Sequence, residues 1–328
     1  MKLSTTINFF TYEDDGSYSA YYYDLEHYAK LGFSHLDSIF CSADAPFSPL
    51  WTNHYEDWAH KIRKKADELG ITFVQTHVPF YNFCDPKKGV NENTEEIVRR
   101  SIVCTNILGA HWTVSHPGTA YADSLIVDGS KKQNLEYFSR NLEFAKKNDV
   151  GICIENMADF SGQGFKRSYC ATVEELADLV DTLHKTYDNV GICWDFGHAN
   201  LVYSNQVPCL NYLGSRIKVT HLHDNMGLED EHRAPFLGNV KWDKIMPALA
   251  HCGYEGNFSF EVKRLAADVP EHIKDVHEDD GGIPAVDGKI RFVNKKKNER
   301  GRIGRFVLFF FSNRMIVHSI VWLEKLQP

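Results

Sequence analysis

Gly151-Ile-Cys-Ile-Glu155-Asn-Met157 is a short apolar run that ends in a carboxylate and then breaks into a turn. The same design returns as Gly191-Ile-Cys-Trp-Asp195-Phe-Gly-His198, as Ile217-Lys-Val-Thr-His221-Leu-His223-Asp224 and as Phe258-Ser-Phe-Glu261. Each run has the length of a buried strand and is bounded by turn residues. Four such strands, each closing on a metal-ligand residue type, read as part of a ring that points its ligands at one spot. Side chains at equal depth in a barrel share a layer and converge on the axis.

Outward from these runs the chain keeps one rhythm. Lys2–Phe10, Phe33–Phe40, Ile71–His77 and His111–His116 read as strands one to four, and Val150, Asn189, Ile217 and Asn257 open strands five to eight. Helical spacing fills the gaps at Tyr18–Leu31, Tyr55–Leu69, Asn93–Leu108, Lys131–Asn148, after Thr172, near Leu210–Gly214 and at Lys241–Cys252; Val269–His277 begins an eighth helix. Eight strand–helix units in roughly 275 residues predict an α/β fold, a (β/α)8 TIM barrel. An open doubly wound sheet usually carries a glycine-rich phosphate loop after strand one, and Thr11-Tyr-Glu-Asp-Asp-Gly16 is not one. Residues 1–277 form the expected barrel domain, and 278–328 an atypical C-terminal tail. In the tail Gly281-Gly-Ile-Pro284 interrupts the last helix, Lys289–Arg305 is strongly basic, and Phe306–Phe311 and Met315–Leu323 are apolar. It reads as a packed extension, an interface arm or an aberrant end.

The 328 residues are 43% hydrophobic and 24% charged, enough for a large core. A net charge of −8 gives no general attraction for nucleic acid or an anionic membrane. The eight cysteines form no C-x-x-C pair, and Cys153 and Cys193 lie inside buried-looking strands, so free thiols are expected. Met1-Lys-Leu-Ser-Thr-Thr6 lacks the apolar core of a signal peptide, and a cytoplasmic protein is expected.

Glu155, Asp195, His221 and Glu261 each follow about four strand residues. They offer hard oxygen donors plus one imidazole, a set that suits one divalent ion: Mn, Mg, Co or Zn. No organic cofactor is expected. His223 competes with His221, because residues two apart on a strand face the same way. Depth favours His221 as ligand and leaves His223 nearer the mouth, contacting substrate. His77, His116, His198, His232 and Arg233 read as substrate contacts, and Asp230 with His232 forms an Asp-x-His pair. The histidines of this outer set also suit further metal ions. Lys263 and Arg264 suit a phosphate or carboxylate, or a solvated loop. Trp112, Trp194 and Phe196 suit either a sugar-facing wall or the core.

The ordered set Ser-His116-Pro-Gly, Ile-Glu155-Asn, Trp-Asp195-Phe-Gly-His198, His221-Leu-His-Asp-Asn225, Asp230-Glu-His232-Arg-Ala-Pro235 and Phe-Glu261 resembles the xylose-isomerase-like barrel superfamily over about residues 1–277. That group includes sugar and sugar-phosphate isomerases and epimerases, inosose and dehydroshikimate dehydratases, and type IV apurinic endonucleases. The resemblance to the epimerases implies a metal at Glu155, Asp195, a histidine of His-Leu-His, and Glu261. It also implies that Glu155 and Glu261 are the catalytic acid/base pair, moving a proton next to a metal-polarised carbonyl through an enediolate. The expected partner is a small carbohydrate: a sugar, polyol or sugar phosphate. Members often associate through barrel helices, which implies a homo-oligomer. A dehydratase on the same scaffold is the sister reading. The endonuclease branch holds three zinc ions with residues resembling His77, His116, Glu155, Asp195, His198, His221, Asp230, His232 and Glu261. Against it stand the acidic charge and the lack of an arginine- and lysine-rich loop set for gripping a duplex. Two positions depart from the ketose epimerase pattern: Ser161 stands where a second substrate glutamate is usual, and the usual Pro-Gly-x-Gly turn reads Pro235-Phe-Leu-Gly238.

Overall fold

A computed structural model describes residues 2–12, 18–20, 23–30, 32–41, 43, 48–85 and 92–262, with short strands between 291 and 321. Eight strands close into a barrel in chain order: β1 (Leu3–Asn8), β2 (His35–Ile39), β3 (Thr72–His77), β4 (Trp112–Ser115), β5 (Gly151–Glu155), β6 (Val190–Asp195), β7 (Ile217–Leu222) and β8 (Phe258–Phe260). Every neighbouring pair is parallel, including the closure of β1 on β8. The helices are α1 (Tyr23–Lys30), α2 (Tyr55–Glu68), α3 (Glu92–Leu108), α4 (Val127–Lys147), α5 (Val173–His184), α6 (Phe196–Asn200), α7 (Val207–Leu213) and α8 (Trp242–His251). This is the (β/α)8 architecture that the strand–helix rhythm predicts.

Two helix starts differ from expectation. Tyr18–Ala20 pairs antiparallel with Phe10–Tyr12, and α1 begins only at Tyr23. A tyrosine-rich run suits a strand as well as a helix, so spacing alone misassigns it. The fourth helix starts at Val127, earlier than Lys131. Gly129 lies in its first turn and, as a weak helix former, hides the start. The fifth helix starts as read: Thr172 is its N-cap, and its side-chain oxygen accepts from the Glu175 amide. The helix expected from Val269, the boundary at 277/278 and the pair Lys263 and Arg264 lie outside the described residues. In the tail, Arg291–Lys297, Ile303–Leu308 and Ser319–Val321 pair as an antiparallel sheet.

The strands are buried on both faces, which explains their near-continuous apolar character. On β5 and β6, Ile152, Ile154, Ile192 and Trp194 join the main core cluster with side chains of the surrounding helices. Trp194 and Phe196 are fully buried there, and the Trp194 indole donates to Gln206 at 3.1 Å, so neither walls the barrel mouth. Trp112 is partly buried and packs on a separate small cluster of Val114, Cys153, Cys193 and Val219. These four precede His116, Glu155, Asp195 and His221 by two residues. The period of two therefore puts an apolar layer directly beneath the polar strand ends. All eight cysteines are free thiols. Among the described residues no helix is long and apolar enough to cross a membrane.

Candidate metal centre

The barrel register assembles the strand-end residues. Asp195 pairs with His221, and His221 pairs with Ser259, two residues before Glu261. Glu155 pairs with Cys193, two residues before Asp195. This stagger is inherent in closing tilted strands into a barrel. It brings ligand atoms of Glu155, Asp195, His221 and Glu261 within 4.8 Å of one another, all four residues buried.

Glu155 is the most heavily engaged of the four. Its Oε2 lies 2.9 Å from His116 Nε2 and 3.2 Å from His77 Nε2, and its Oε1 lies 2.9 Å from His221 Nδ1. Glu261 Oε2 is 3.3 Å from the same His221 nitrogen. His77, His116 and Glu155 thus make a second donor group. A third is Asp195, His198 and His223, and a fourth is His223, Asp230 and His232. Of the two histidines of His-Leu-His, His221 belongs to the four-residue group and His223 to the two outer ones. His223 is fully buried, with Nε2 3.1 Å from Asp195 Oδ2 and 3.5 Å from Asp230 Oδ1.

Local sequence explains the Trp-Asp-x-Gly-His stretch. Asp195 is the N-cap of α6, and its Oδ1 accepts from the His198 amide at 2.7 Å. That one-turn start swings His198 back toward the site, where its Nδ1 meets the Asn156 carbonyl at 2.9 Å. Asn156 also pins Asp195 from both sides. Its Oδ1 accepts from the Asp195 amide at 2.7 Å, and its Nδ2 donates to the Asp195 carbonyl at 2.9 Å. A Cβ on Gly197 would sit 1.8 Å from the His223 ring, so glycine is what lets that imidazole pack against the first turn of α6.

The outer donors hang on the loop after β7, and Asp224 anchors that loop. Its Oδ1 accepts from the amides of Asn225 and Val240, and its Oδ2 from the Phe236 amide and the Trp242 indole, all at 2.8–3.0 Å. Its backbone also exchanges both hydrogen bonds with Arg233. His232 follows in position: its Nδ1 donates to the Glu261 carbonyl (2.8 Å), its Nε2 lies 3.0 Å from Asp230 Oδ2, and its ring stacks on His223 at 4.0 Å. The Arg233 guanidinium turns to Glu231 at 2.8 Å and stands outside the donor groups. A Cβ on Gly238 would come within 2.3 Å of Asp224 Oδ1 and the Asn225 carbonyl. Phe236, where the Pro-Gly-x-Gly pattern has its first glycine, holds φ at 76°. A side chain in that left-handed region costs about 1 kcal/mol. Phe236→Gly is therefore expected to raise the thermal midpoint by roughly 1–3 °C. A lowered midpoint in calorimetry would mean that the Phe236 ring's packing on Trp242 outweighs the strain.

The ion pairs of Glu155, Asp195 and Asp230 all run to imidazoles. Burial acts to raise the Glu155 carboxyl, but His221 and His116 outweigh it and hold the group well below the carboxylate range. Asp195 is lowered against burial by His198 and His223, and Asp230 by His198 and His232. Burial acts to strip the proton from His221 and His198, yet the surrounding carboxylates hold both well above the imidazole range. His116 goes the other way: burial outweighs Glu155 and lowers it. Burial also keeps Cys193 a neutral thiol. Buried carboxylates that force protons onto imidazoles are sites that demand cations, and this donor set fits a divalent ion.

Three supporting residues escape a reading of the sequence. Asn156 and Asp224 stand inside quoted motifs, but as polar neighbours of ligand types they carry no signal of their own. Asp37, a lone acid within β2, carries none at all.

A model of the family described as xylose isomerase-like TIM barrel matches residues 25–278. The chain is 30% identical to the uncharacterized protein MJ1311 of Methanocaldococcus jannaschii, over 58% of this chain and 65% of that protein. It is 26% identical to the probable endonuclease 4 of Mycoplasmoides gallisepticum, over 59% and 65% of the two chains. It is 24% identical to the D-psicose 3-epimerase of Ruminiclostridium cellulolyticum, over 77% and 82%. The chain thus spans less than two thirds of the length of the first two of these relatives. A crystal structure of a D-tagatose 3-epimerase-like protein superposes with a TM-score of 0.63 at 23% identity, over 84% of this chain and 96% of that one.

Proposed function

This chain belongs to the xylose isomerase-like TIM barrel family, and from that premise we propose that it is a divalent-metal-dependent isomerase or epimerase of a small sugar, polyol or sugar phosphate. The observation that carries the reading is the buried group Glu155, Asp195, His221 and Glu261, with ligand atoms within 4.8 Å. These four residues would hold the ion. When bound, the ion supplies polarisation of the substrate carbonyl and so lowers the cost of negative charge developing on it. Glu155 and Glu261 then divide the proton work: one carboxylate removes the proton beside the carbonyl and the other returns it. His77, His116, His198, His223 and His232 surround the group and position substrate hydroxyls, with Arg233 reaching substrate only if it leaves Glu231. The curated D-psicose 3-epimerase supports the substrate class. The test is solvent exchange: loaded protein in D2O should place deuterium next to the carbonyl of a ketose or keto-polyol. Failure to exchange with any of a panel of these, with the metal site filled, would overturn the proposal.

One observation favours a second reading. Three of the four further donor groups place His77, His116, His198, Asp230 and His232 around shared carboxylates, and curated endonuclease 4 proteins are among the relatives. A zinc phosphodiesterase would use them all. Metal analysis on protein of known concentration separates the two: about one ion per chain fits the isomerase, and close to three zinc ions fits the phosphodiesterase.

Because His221 holds a proton that an ion at the four-residue centre must displace, metal affinity should fall as the pH falls. The expected slope is about tenfold per pH unit for each proton displaced. Chelator competition between pH 8 and pH 6 measures it, and a flat profile would count against imidazole ligation.

A further inference from the structure

Deep in the barrel, one carboxylate has no place in the proposed chemistry. Asp37 lies on β2, a strand that supplies none of the donor groups, and it is fully buried. Three groups from three other strands converge on a single oxygen of it. Gln75 Nε2 (β3) donates to Oδ2 at 2.8 Å, Ser259 Oγ (β8) donates at 2.9 Å, and His221 Nε2 (β7) lies at 3.2 Å. Gln75, Ser259 and His221 are each no more than 1% exposed. A buried carboxylate is costly unless it is paired and hydrogen-bonded. Among the described residues the ion pair of Asp37 is with His221.

The consequence falls on the other side of the ring. A neutral imidazole that donates a hydrogen bond from Nε2–H to a carboxylate keeps a lone pair on Nδ1 and becomes more basic there. In this protein Nδ1 is the nitrogen facing Glu155 and Glu261. We propose that Asp37 is a positioning residue for His221: held by Gln75 and Ser259, it accepts a hydrogen bond from Nε2–H and so fixes both the ring orientation and the tautomer that offers Nδ1 to a divalent ion. The proposal rests on the four-residue metal centre above. It assigns Asp37 no contact with substrate. It also accounts for the polar inner faces of β2, β3 and β8, where Asp37, Gln75 and Ser259 stand in place of the apolar residues that fill the layer under Glu155 and Asp195.

The test uses zinc(II) as probe on the full chain, with affinity read by chelator competition and the metal-free protein followed by thermal melting. Asp37→Asn should weaken zinc binding by about 10–100-fold, and the metal-free protein should melt below the wild-type temperature, because the His221 imidazolium loses one of its buried counter-charges. A purely structural role predicts the lowered melting temperature with unchanged affinity, so the affinity decides. Unchanged affinity with wild-type zinc binding intact would overturn the Asp37 proposal alone. Wild-type protein that binds no divalent ion would overturn the metal-centre reading and this proposal with it. If the variant does not fold, nitrogen-15 NMR of the zinc-loaded wild type decides. His221 should carry its proton on Nε2, and a proton on Nδ1 would refute the assignment. Ser259→Ala, which loosens the carboxylate without removing it, should give a smaller loss of affinity in the same direction.

Discussion

Glu155→Gln should abolish turnover and empty the centre, with kcat/KM falling by at least about 10³-fold. The amide keeps the shape of the side chain but removes its charge and half of its acceptor capacity. Three imidazoles lean on this carboxylate within 3.2 Å, and one oxygen of the replacement would become a donor facing nitrogens that now need an acceptor. The loss is therefore electrostatic as well as catalytic: His77, His116 and His221 would each lose the partner that holds them. Metal content and solvent deuterium exchange are the two readouts, with circular dichroism confirming the fold. Activity within tenfold of wild type would remove Glu155 from the proton-transfer role. His116→Ala provides the contrast. Its imidazole belongs to the second donor group alone, so the variant should leave an ion at the four-residue centre.

The second large effect is on stability. Asp224→Ala removes a fully buried carboxylate that satisfies three backbone amides and an indole at once. Leaving those donors without an acceptor should cost about 3–5 kcal/mol. The damage should concentrate in the loop from Met226 to Val240, because the amides of Asn225, Phe236 and Val240 define its path. Hydrogen exchange should show that segment opening well before the strands do. A melting temperature within 2 °C of wild type, roughly 1 kcal/mol or less, would mean that the loop is held by other means. Since Asp230 and His232 ride on this loop, the variant should also weaken any ion held by the outer donors more than one held by Glu155 and Asp195.

Much of this was legible in the residues themselves. The strand runs ending at Glu155, Asp195, His221 and Glu261 are recognisable because a continuously apolar strand makes its one terminal acid conspicuous. Equal depth then implies convergence, and the barrel register delivers it. The capping role of Thr172 was readable because capping is local in sequence. What escaped depends on contacts far apart along the chain. Asp37 and His221 are separated by 184 positions, and no local pattern distinguishes an inward-facing acid on β2 from an outward-facing one. Asp224 is conspicuous only once the loop has folded around it. Trp194, open between a sugar-facing wall and the core, is decided by its neighbour. Its neighbour Asp195 points inward, so the alternation of the strand obliges Trp194 to point at the helices, and its indole finds Gln206 there.

The donor groups also share corners. Glu155 belongs to the group with His77 and His116 and to the one with His221 and Glu261, while Asp195 and His223 each belong to two. Sites joined at a common vertex do not fill independently. A carboxylate that gives its charge to one occupant has less to give to the next, so each step of loading meets a different protein. Occupancy then becomes a graded function of free metal concentration. The same polypeptide would carry different numbers of ions in metal-poor and metal-rich surroundings, without any change in its fold.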